Sequence, residues 1–396
     1  DNKINLKVAE RLLQTYGVIV ECVESGFICI DNLKSGKKYD LILLISVIIL
    51  SLFGLLMIYS SSYIWAEYKY GDALKFVKAE SLFLILGIVL MLIVSKIDYM
   101  KYYKNANKIL VICVLLLILV LIPGIGTIRN GSRSWFGIGS FGIQPSEFTK
   151  LSLIIFTSKY LSNNDKLLKN IKKGVLPILG LLLTIFGLIM LQPDFGTGTV
   201  IVISIVAILF VSGVDFSFFV KIAILGLLGV VVLIVVAPYR MQRIISFMNP
   251  WSDPLGSGFQ IIQSLYAIGP GGILGLGFGN SIQKHFYLPE PQTDFIFSII
   301  SEEFGFLGVV IVTSLFLTII YRGIKISLKT TDLFAKYIAF GITFQLAFQS
   351  VLNLMVVIGL IPVTGVTLPF LSYGGSSLLI SMISMGILLN ISRTNN

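Results

Sequence analysis

Leu41-Ile-Leu-Leu-Ile-Ser-Val-Ile-Ile-Leu-Ser-Leu-Phe-Gly-Leu-Leu-Met-Ile-Tyr-Ser60 runs for twenty residues without a charged side chain. A helix needs roughly that length to cross the ~30 Å hydrocarbon core of a bilayer. Comparable apolar stretches recur at approximately 79–95, 107–122, 147–160, 174–191, 197–213, 217–237, 295–321, 334–356 and 372–391. Of the 396 residues, 56% are hydrophobic and 13% charged, against about 25% charged in a soluble domain. The mean hydropathy is +0.92. The pattern predicts an all-α integral membrane protein of about ten transmembrane helices, with a long extracellular loop, about 238–294, before the eighth.

The net charge of +10 does not point to nucleic acid, because its distribution follows the connections between spans. Lys34, Lys37 and Lys38, then Lys96, Lys101, Lys104 and Lys108, then Lys159, Lys166, Lys169, Lys172 and Lys173, then Arg322, Lys325, Lys329 and Lys336 fall on one side. The other side is sparser and mixed in sign. Basic connections mark the cytoplasmic face, so both termini are expected there. Residues 1–38 read as a cytoplasmic lead-in without a clear motif, and the run from Leu41 as an uncleaved first helix, since it has no small-residue cleavage site. Cys22, Cys29 and Cys113 make neither a disulfide framework nor a metal cluster. With His285 the only histidine, a His-rich zinc site is excluded.

Four segments on the far side break the apolar pattern. Pro123–Pro145 carries Arg129, Arg133 and Trp135, and the turn Gln192-Pro-Asp-Phe-Gly196 carries Asp194. Pro238–Thr293 holds Arg240, Arg243, Trp251, Asp253 and a glycine-rich run from Gly269 to Gly279. Ile361–Ser377 is almost uncharged but rich in helix breakers. Irregular backbone at membrane depth survives only where protein buries it or it lines a cavity, so this last segment is expected to frame one. The glycines at 275, 277 and 279 follow no βαβ pattern, which a dinucleotide fingerprint needs.

Charged residues therefore gather at one end: Arg129, Arg133, Glu147, Lys150, Asp194, Arg240, Arg243, Lys284, Glu290 and Asp294. A carrier would place such groups nearer the midplane, on broken helices, so a site opening to the exterior is expected. Asp294 ends a polar loop where an apolar helix begins, and two compatible readings are open. Thr293 or Asp294 caps the helix, or Asp294 is a general base that takes a proton from an attacking hydroxyl. If the helix includes Asp294, Ser298 and Glu302 share its face, while Glu302 and Glu303 read as buried acids paired with a basic neighbour. Glu147 and Lys150, three apart, either neutralise each other or leave Lys150, with Arg133, facing an anion. Arg240 and Arg243 either grip a second phosphate through their planar forks or meet lipid headgroups.

Six motifs occur in order: Arg133-Ser-Trp135, Gln144-Pro-Ser-Glu-Phe-Thr-Lys150, Gln192-Pro-Asp-Phe-Gly-Thr-Gly198, Asp253-Pro-Leu-Gly-Ser-Gly-Phe-Gln260, Leu288-Pro-Glu-Pro-Gln-Thr-Asp294 and Leu368-Pro-Phe-Leu-Ser-Tyr-Gly-Gly-Ser-Ser377. Together they resemble the bacterial shape, elongation, division and sporulation (SEDS) family over about 39–393. The resemblance implies a ten-helix domain in the cell membrane whose members join lipid II into glycan strands at the outer face, beside a class B penicillin-binding protein. It assigns Asp294 to the essential acid of the long loop, Arg133 and Lys150 to basic positions, and Glu147 to the same motif. Many members have histidine where this chain has Gln292, so histidine has no part in the mechanism here.

On this reading Asp294 activates the 4-hydroxyl of an acceptor sugar. Arg133 and Lys150, with Arg240 and Arg243, neutralise the departing diphosphate. A divalent ion, Mg²⁺ or Mn²⁺, would share that task, although the sequence holds no dedicated metal site. The alternatives are a lipid II flippase and a non-catalytic scaffold for the penicillin-binding protein. Division, elongation and spore-cortex roles are not distinguished by sequence.

Overall fold

The computed structural model describes residues 39–394 apart from Asn130, Gly139, Ser140, Lys166, Leu167, Lys169, Ala237 and Ser257. The lead-in at 1–38, with Cys22 and Cys29, lies outside the described residues. Helix α1 (Leu41–Tyr70) begins where Asp40 accepts a hydrogen bond from the Leu43 amide at 3.0 Å and ends at Gly71 in the left-handed conformation, a side-chain cap at one end and a glycine stop at the other. The other helices of ten or more residues are α2 (Lys75–Lys96), α3 (Met100–Leu121), α4 (Pro145–Asn163), α5 (Leu176–Met190), α6 (Phe195–Val211), α7 (Phe216–Val236), α8 (Pro238–Met248), α9 (Phe259–Ile268), α10 (Ile296–Lys329), α11 (Leu333–Val357) and α12 (Gly375–Thr394). Each of the ten apolar stretches thus contains a helix.

Six of them (α1, α2, α3, α10, α11 and α12) are long and apolar enough to cross a membrane. Helices α5 and α6 are apolar but only 15 and 17 residues long. Helix α4, at 19 residues, buries Ser146, Glu147, Thr149, Lys150, Ser152, Thr157 and Ser158. Many polar side chains are buried, while one set of leucines, isoleucines and valines on α1, α2, α3, α7 and α10 is exposed and another packs in the core. That inside-out distribution suits a bundle whose perimeter faces hydrocarbon rather than water.

Helix α12 is central: it lies along α2 and also meets α4, α11 and α10, while α10 packs on α11 and α1, and α3 on α4. One end of the bundle is pinned by polar bonds. Arg322 grips Asp40 (Nη2 to Oδ2, 2.6 Å), the Asp40 amide donates to Ser392 Oγ, and Asn390 joins the Ser95 carbonyl to the Tyr99 amide.

The other end departs from an all-helical expectation. The segment expected as a loop between α3 and α4 is a three-stranded antiparallel sheet, β1 (Thr127–Arg129), β2 (Ser132–Ile138) and β3 (Phe141–Ile143). Its short strands, rich in β-branched and aromatic residues and punctuated by glycine, carry the hairpin pattern that a search for spans passes over. The segment expected as one long loop, 238–294, contains α8 and α9 before its glycine-rich run.

Candidate active site

Helix α11 contributes two amides one turn apart, Gln349 and Asn353, both buried. Asn353 Nδ2 donates to the Asp294 carbonyl and to the Val366 carbonyl, each at 2.8 Å. Gln349 Nε2 donates to the Thr367 carbonyl at 3.0 Å. The irregular segment between α11 and α12 is thereby held against the start of α10. This is how its breaker-rich backbone is satisfied at depth: buried side-chain amides stand in for helix bonds.

The same segment approaches Asp294 directly. Gly365 has φ of 74°, and a side chain there would meet Asp294 Oδ2 at 3.7 Å. On its opposite flank Gly196 of α6 admits the segment so closely that a β-carbon would lie 2.6 Å from the Thr364 carbonyl oxygen. The Tyr373 amide then donates to the Gln292 carbonyl at 2.8 Å.

From Gln349 the bonded chain continues to α4. Its Oε1 accepts from Lys150 Nζ at 2.9 Å, and Lys150 pairs with Glu147 at 2.9 Å, both side chains nearly inaccessible. The pairing along one helix face follows the three-residue spacing. It leaves Lys150 turned inward rather than presented at a surface. Beside the pair, Gln345, Pro369 and Ser384 help to enclose a cavity of about 20 Å³, room for about one water and far too small for a sugar.

The Gln192-Pro-Asp turn closes the other flank. Asp194 caps α6, accepting from the Thr197 amide at 3.1 Å, and accepts from Gln144 Nε2 at 2.9 Å. Enclosure away from water pushes its carboxyl above the ordinary range, against the opposing pull of the Thr197 bonds. The Gln144 amide donates to Ser376 Oγ, which donates to the Gly142 carbonyl. Ser132 Oγ donates to the Gln192 carbonyl, fixing the sheet to this turn.

Asp294, Glu147 and Lys150 are therefore joined through Asn353, residues 366–367 and Gln349. Arg133 sits half-buried on β2 opposite Ile128 and is not a member of that chain among the described residues. Arg240 and Arg243 lie on α8, their side chains outside what the structure describes. The residue before α10 is Phe295, without a side-chain cap, and Thr293 Oγ1 donates backwards to the Glu290 carbonyl at 2.8 Å. Because the helix starts after Asp294, Ser298 and Glu302 do not continue its face. Ser298 hydrogen-bonds Ser264 of α9, and Glu302 accepts from Ser281. Glu303 has the basic partner expected for it, Lys284.

Sequence reasoning passed over Gln349 and Asn353. The signal was present, since polar side chains in the middle of an apolar span are rarely idle. Among the described residues no three His, Cys, Asp or Glu side chains converge.

The family model of the cell cycle proteins FtsW, RodA and SpoVE matches residues 40–396. Stage V sporulation protein E of Bacillus subtilis (strain 168) is 51% identical over 354 residues, 89% of this chain and 97% of that protein. A probable peptidoglycan glycosyltransferase FtsW of Trichlorobacter lovleyi is 41% identical over 355 residues, 90% of this chain and 93% of its own length. Among solved structures, a chain from a peptidoglycan synthase complex that coordinates polymerization and crosslinking aligns with a TM-score of 0.74 at 31% identity, covering 90% of this chain and 98% of its own. The rod shape determining protein RodA of Thermus thermophilus aligns with a TM-score of 0.68 at 28% identity, covering 90% and 97%. The matched region contains every motif that packs around Asp294, and its apolar helices are those of a multi-pass membrane protein: the chain belongs to the FtsW, RodA and SpoVE cell cycle protein family.

Proposed function

We propose that the chain is a peptidoglycan glycosyltransferase that polymerises lipid II at the outer face of the cell membrane, with Asp294 as general base. The observation that carries this reading is the placement of Asp294. It stands at the head of α10, its own carbonyl held by Asn353, within a bonded chain that reaches Glu147 and Lys150. The relatives named as probable peptidoglycan glycosyltransferases support the reaction class.

In this reaction Asp294 takes the proton of the acceptor's 4-hydroxyl as that oxygen bonds to the donor's anomeric carbon. The bond from that carbon to the diphosphate breaks, and the lipid diphosphate leaves with the electron pair. Arg133, half-buried on the sheet, is the more accessible cation for that leaving group. Lys150 reaches it only by releasing Gln349. Arg240 and Arg243 on α8 add charge at the same end. Preorganised cations at the position of developing charge are commonly the largest catalytic contribution. A divalent ion would supply further charge neutralisation at that diphosphate. The ten helices of the apolar stretches cross the membrane, both termini are cytoplasmic, and the Asp294 end faces the exterior. The partner is a class B penicillin-binding protein, in keeping with the relative found in a synthase complex.

The test is incubation of the purified protein, alone and with such a partner, with labelled lipid II in vesicles. Glycan strands are expected. Transbilayer movement of lipid II without strands would establish the flippase instead, and strands made equally well by a complex carrying Asp294→Asn would remove the base assignment.

A further inference from the structure

Helix α10 is not continuous. Gly305 has φ of 60° and ψ of −156°, and the backbone groups freed at the break are taken up by the glycine-rich run. The amides of Leu276 and Gly277 donate to the carbonyls of Glu302 and Glu303, both at 2.9 Å, while those of Phe306 and Leu307 donate to the carbonyls of Gly272 and Ile273 at 2.9 and 3.0 Å. A β-carbon on Gly271, Gly275 or Gly305 would strike this backbone, which accounts for a glycine-rich run without a phosphate to cradle.

Immediately beyond, the chain buries a charge cluster. Lys284 and Glu303 pair at 3.1 Å with neither side chain accessible. Lys284 Nζ also donates to the Gly279 carbonyl at 2.5 Å and to Ser60 Oγ of α1 at 3.4 Å, and lies 5.0 Å from the centre of the Tyr63 ring. Ser60 Oγ is 2.6 and 2.8 Å from the two Glu303 oxygens. Glu302 accepts from Ser281 Oγ at 2.5 Å and from the Ile282 amide at 2.8 Å.

The short helix between the break and Asp294, residues 296–304, is about 13 Å long at 1.5 Å per residue. Because Gly305 uncouples it from the rest of α10, its orientation is set by what grips its two ends. Asn353 grips the Asp294 end and the Lys284 cluster grips the other. We infer that Lys284, Glu303 and Ser60 are positioning residues for Asp294, a clasp that ties the helix directly following it to α1. The inference rests on the proposed role of Asp294. None of the three touches the reacting atoms. A buried ion pair is weak evidence for stability, but fixing one arrangement is among its attested uses, and a misplacement of about 1 Å at a reacting group costs on the order of 100-fold in rate.

The experiment measures lipid II polymerisation by the intact complex carrying Lys284→Met/Glu303→Leu, which replaces the pair by apolar side chains and leaves no orphan charge. The expected result is a folded complex whose kcat falls about 10- to 100-fold, in keeping with that sensitivity, at unchanged KM, while the single conservative variant Lys284→Arg, with Glu303 in place, keeps most of the wild-type kcat. A double variant with wild-type kcat, or one that raises KM alone, overturns the clasp. Should the double variant fail to fold, Ser60→Ala decides: it leaves the ion pair in place, a fall in kcat of several-fold is expected, and a wild-type kcat overturns the proposal. Asp294→Asn is run in parallel. Full activity there sinks the general-base reading itself, whereas an inactive Asp294→Asn beside a fully active clasp variant removes only the clasp.

Discussion

Asn353 holds two carbonyls with one nitrogen, those of Asp294 and Val366, and so fixes the distance between the candidate base and the segment that passes it. Replacing it with leucine leaves both carbonyls without that donor. Such a loss costs about 1–3 kcal/mol per buried group, and the expected outcome for Asn353→Leu is a lowered thermal midpoint with a larger fall in polymerisation. Thermal unfolding and strand synthesis on the same preparation check this. Asp194 provides a pH test. Its carboxyl is raised by burial, so the folded state binds that proton more tightly than the unfolded chain does, and stability declines as pH rises from the ordinary carboxyl value of 3.8 through the raised folded value. Asp194→Asn should lack that decline, which the difference in thermal midpoint between the two proteins across pH would reveal. At this scale the sequence exposes Asp294, because an acid where a polar loop meets an apolar helix is conspicuous. It does not expose Asn353 or Gln349, whose amide nitrogens donate to backbone carbonyls that no residue pattern encodes, separated in sequence by up to 59 positions.

Helix α10 shows what periodicity misses at the scale of elements. The stretch 295–321 reads as one span. The break at Gly305 exists because another segment, Gly271–Gly277, supplies hydrogen bonds that the helix forgoes, and that partnership is non-local. Gly305→Ala forces a side chain into a backbone region that is essentially glycine's own. The expected cost is about 1–3 kcal/mol, with collision against the Gly275 amide adding to it, and with a fall in polymerisation. A variant as stable and active as wild type would mean that the helix can close the break. The sheet at 127–143 was equally obscured. Its strands of three to seven residues are too short to stand out beside twenty-residue apolar runs.

For the molecule as a whole, hydrophobic run length puts a helix in each of the ten apolar stretches, six of them long and apolar enough to cross a membrane, because the bilayer constraint on backbone hydrogen bonding acts locally along each run. Packing order is another matter, since α12 lies at the centre with no mark in its sequence beyond small and polar residues. Orientation rests on the asymmetry of lysines and has its own test. In a chain with its native cysteines replaced, Ser252→Cys in the loop before α9 should react with a membrane-impermeant maleimide on intact cells. Lys329→Cys at the end of α10 should react only after permeabilisation. The reverse pattern would invert the protein and remove the exterior site.

The account turns on Asp294. Its most direct test is the rate of strand formation from labelled lipid II by equal amounts of folded complex, wild type against Asp294→Asn. The asparagine should keep substrate binding and lose at least about 100-fold in rate, the scale of general-base catalysis. A rate within about threefold of wild type would contradict the central claim and leave the clasp, the broken helix and the Asn353 bridge without a catalytic group to position.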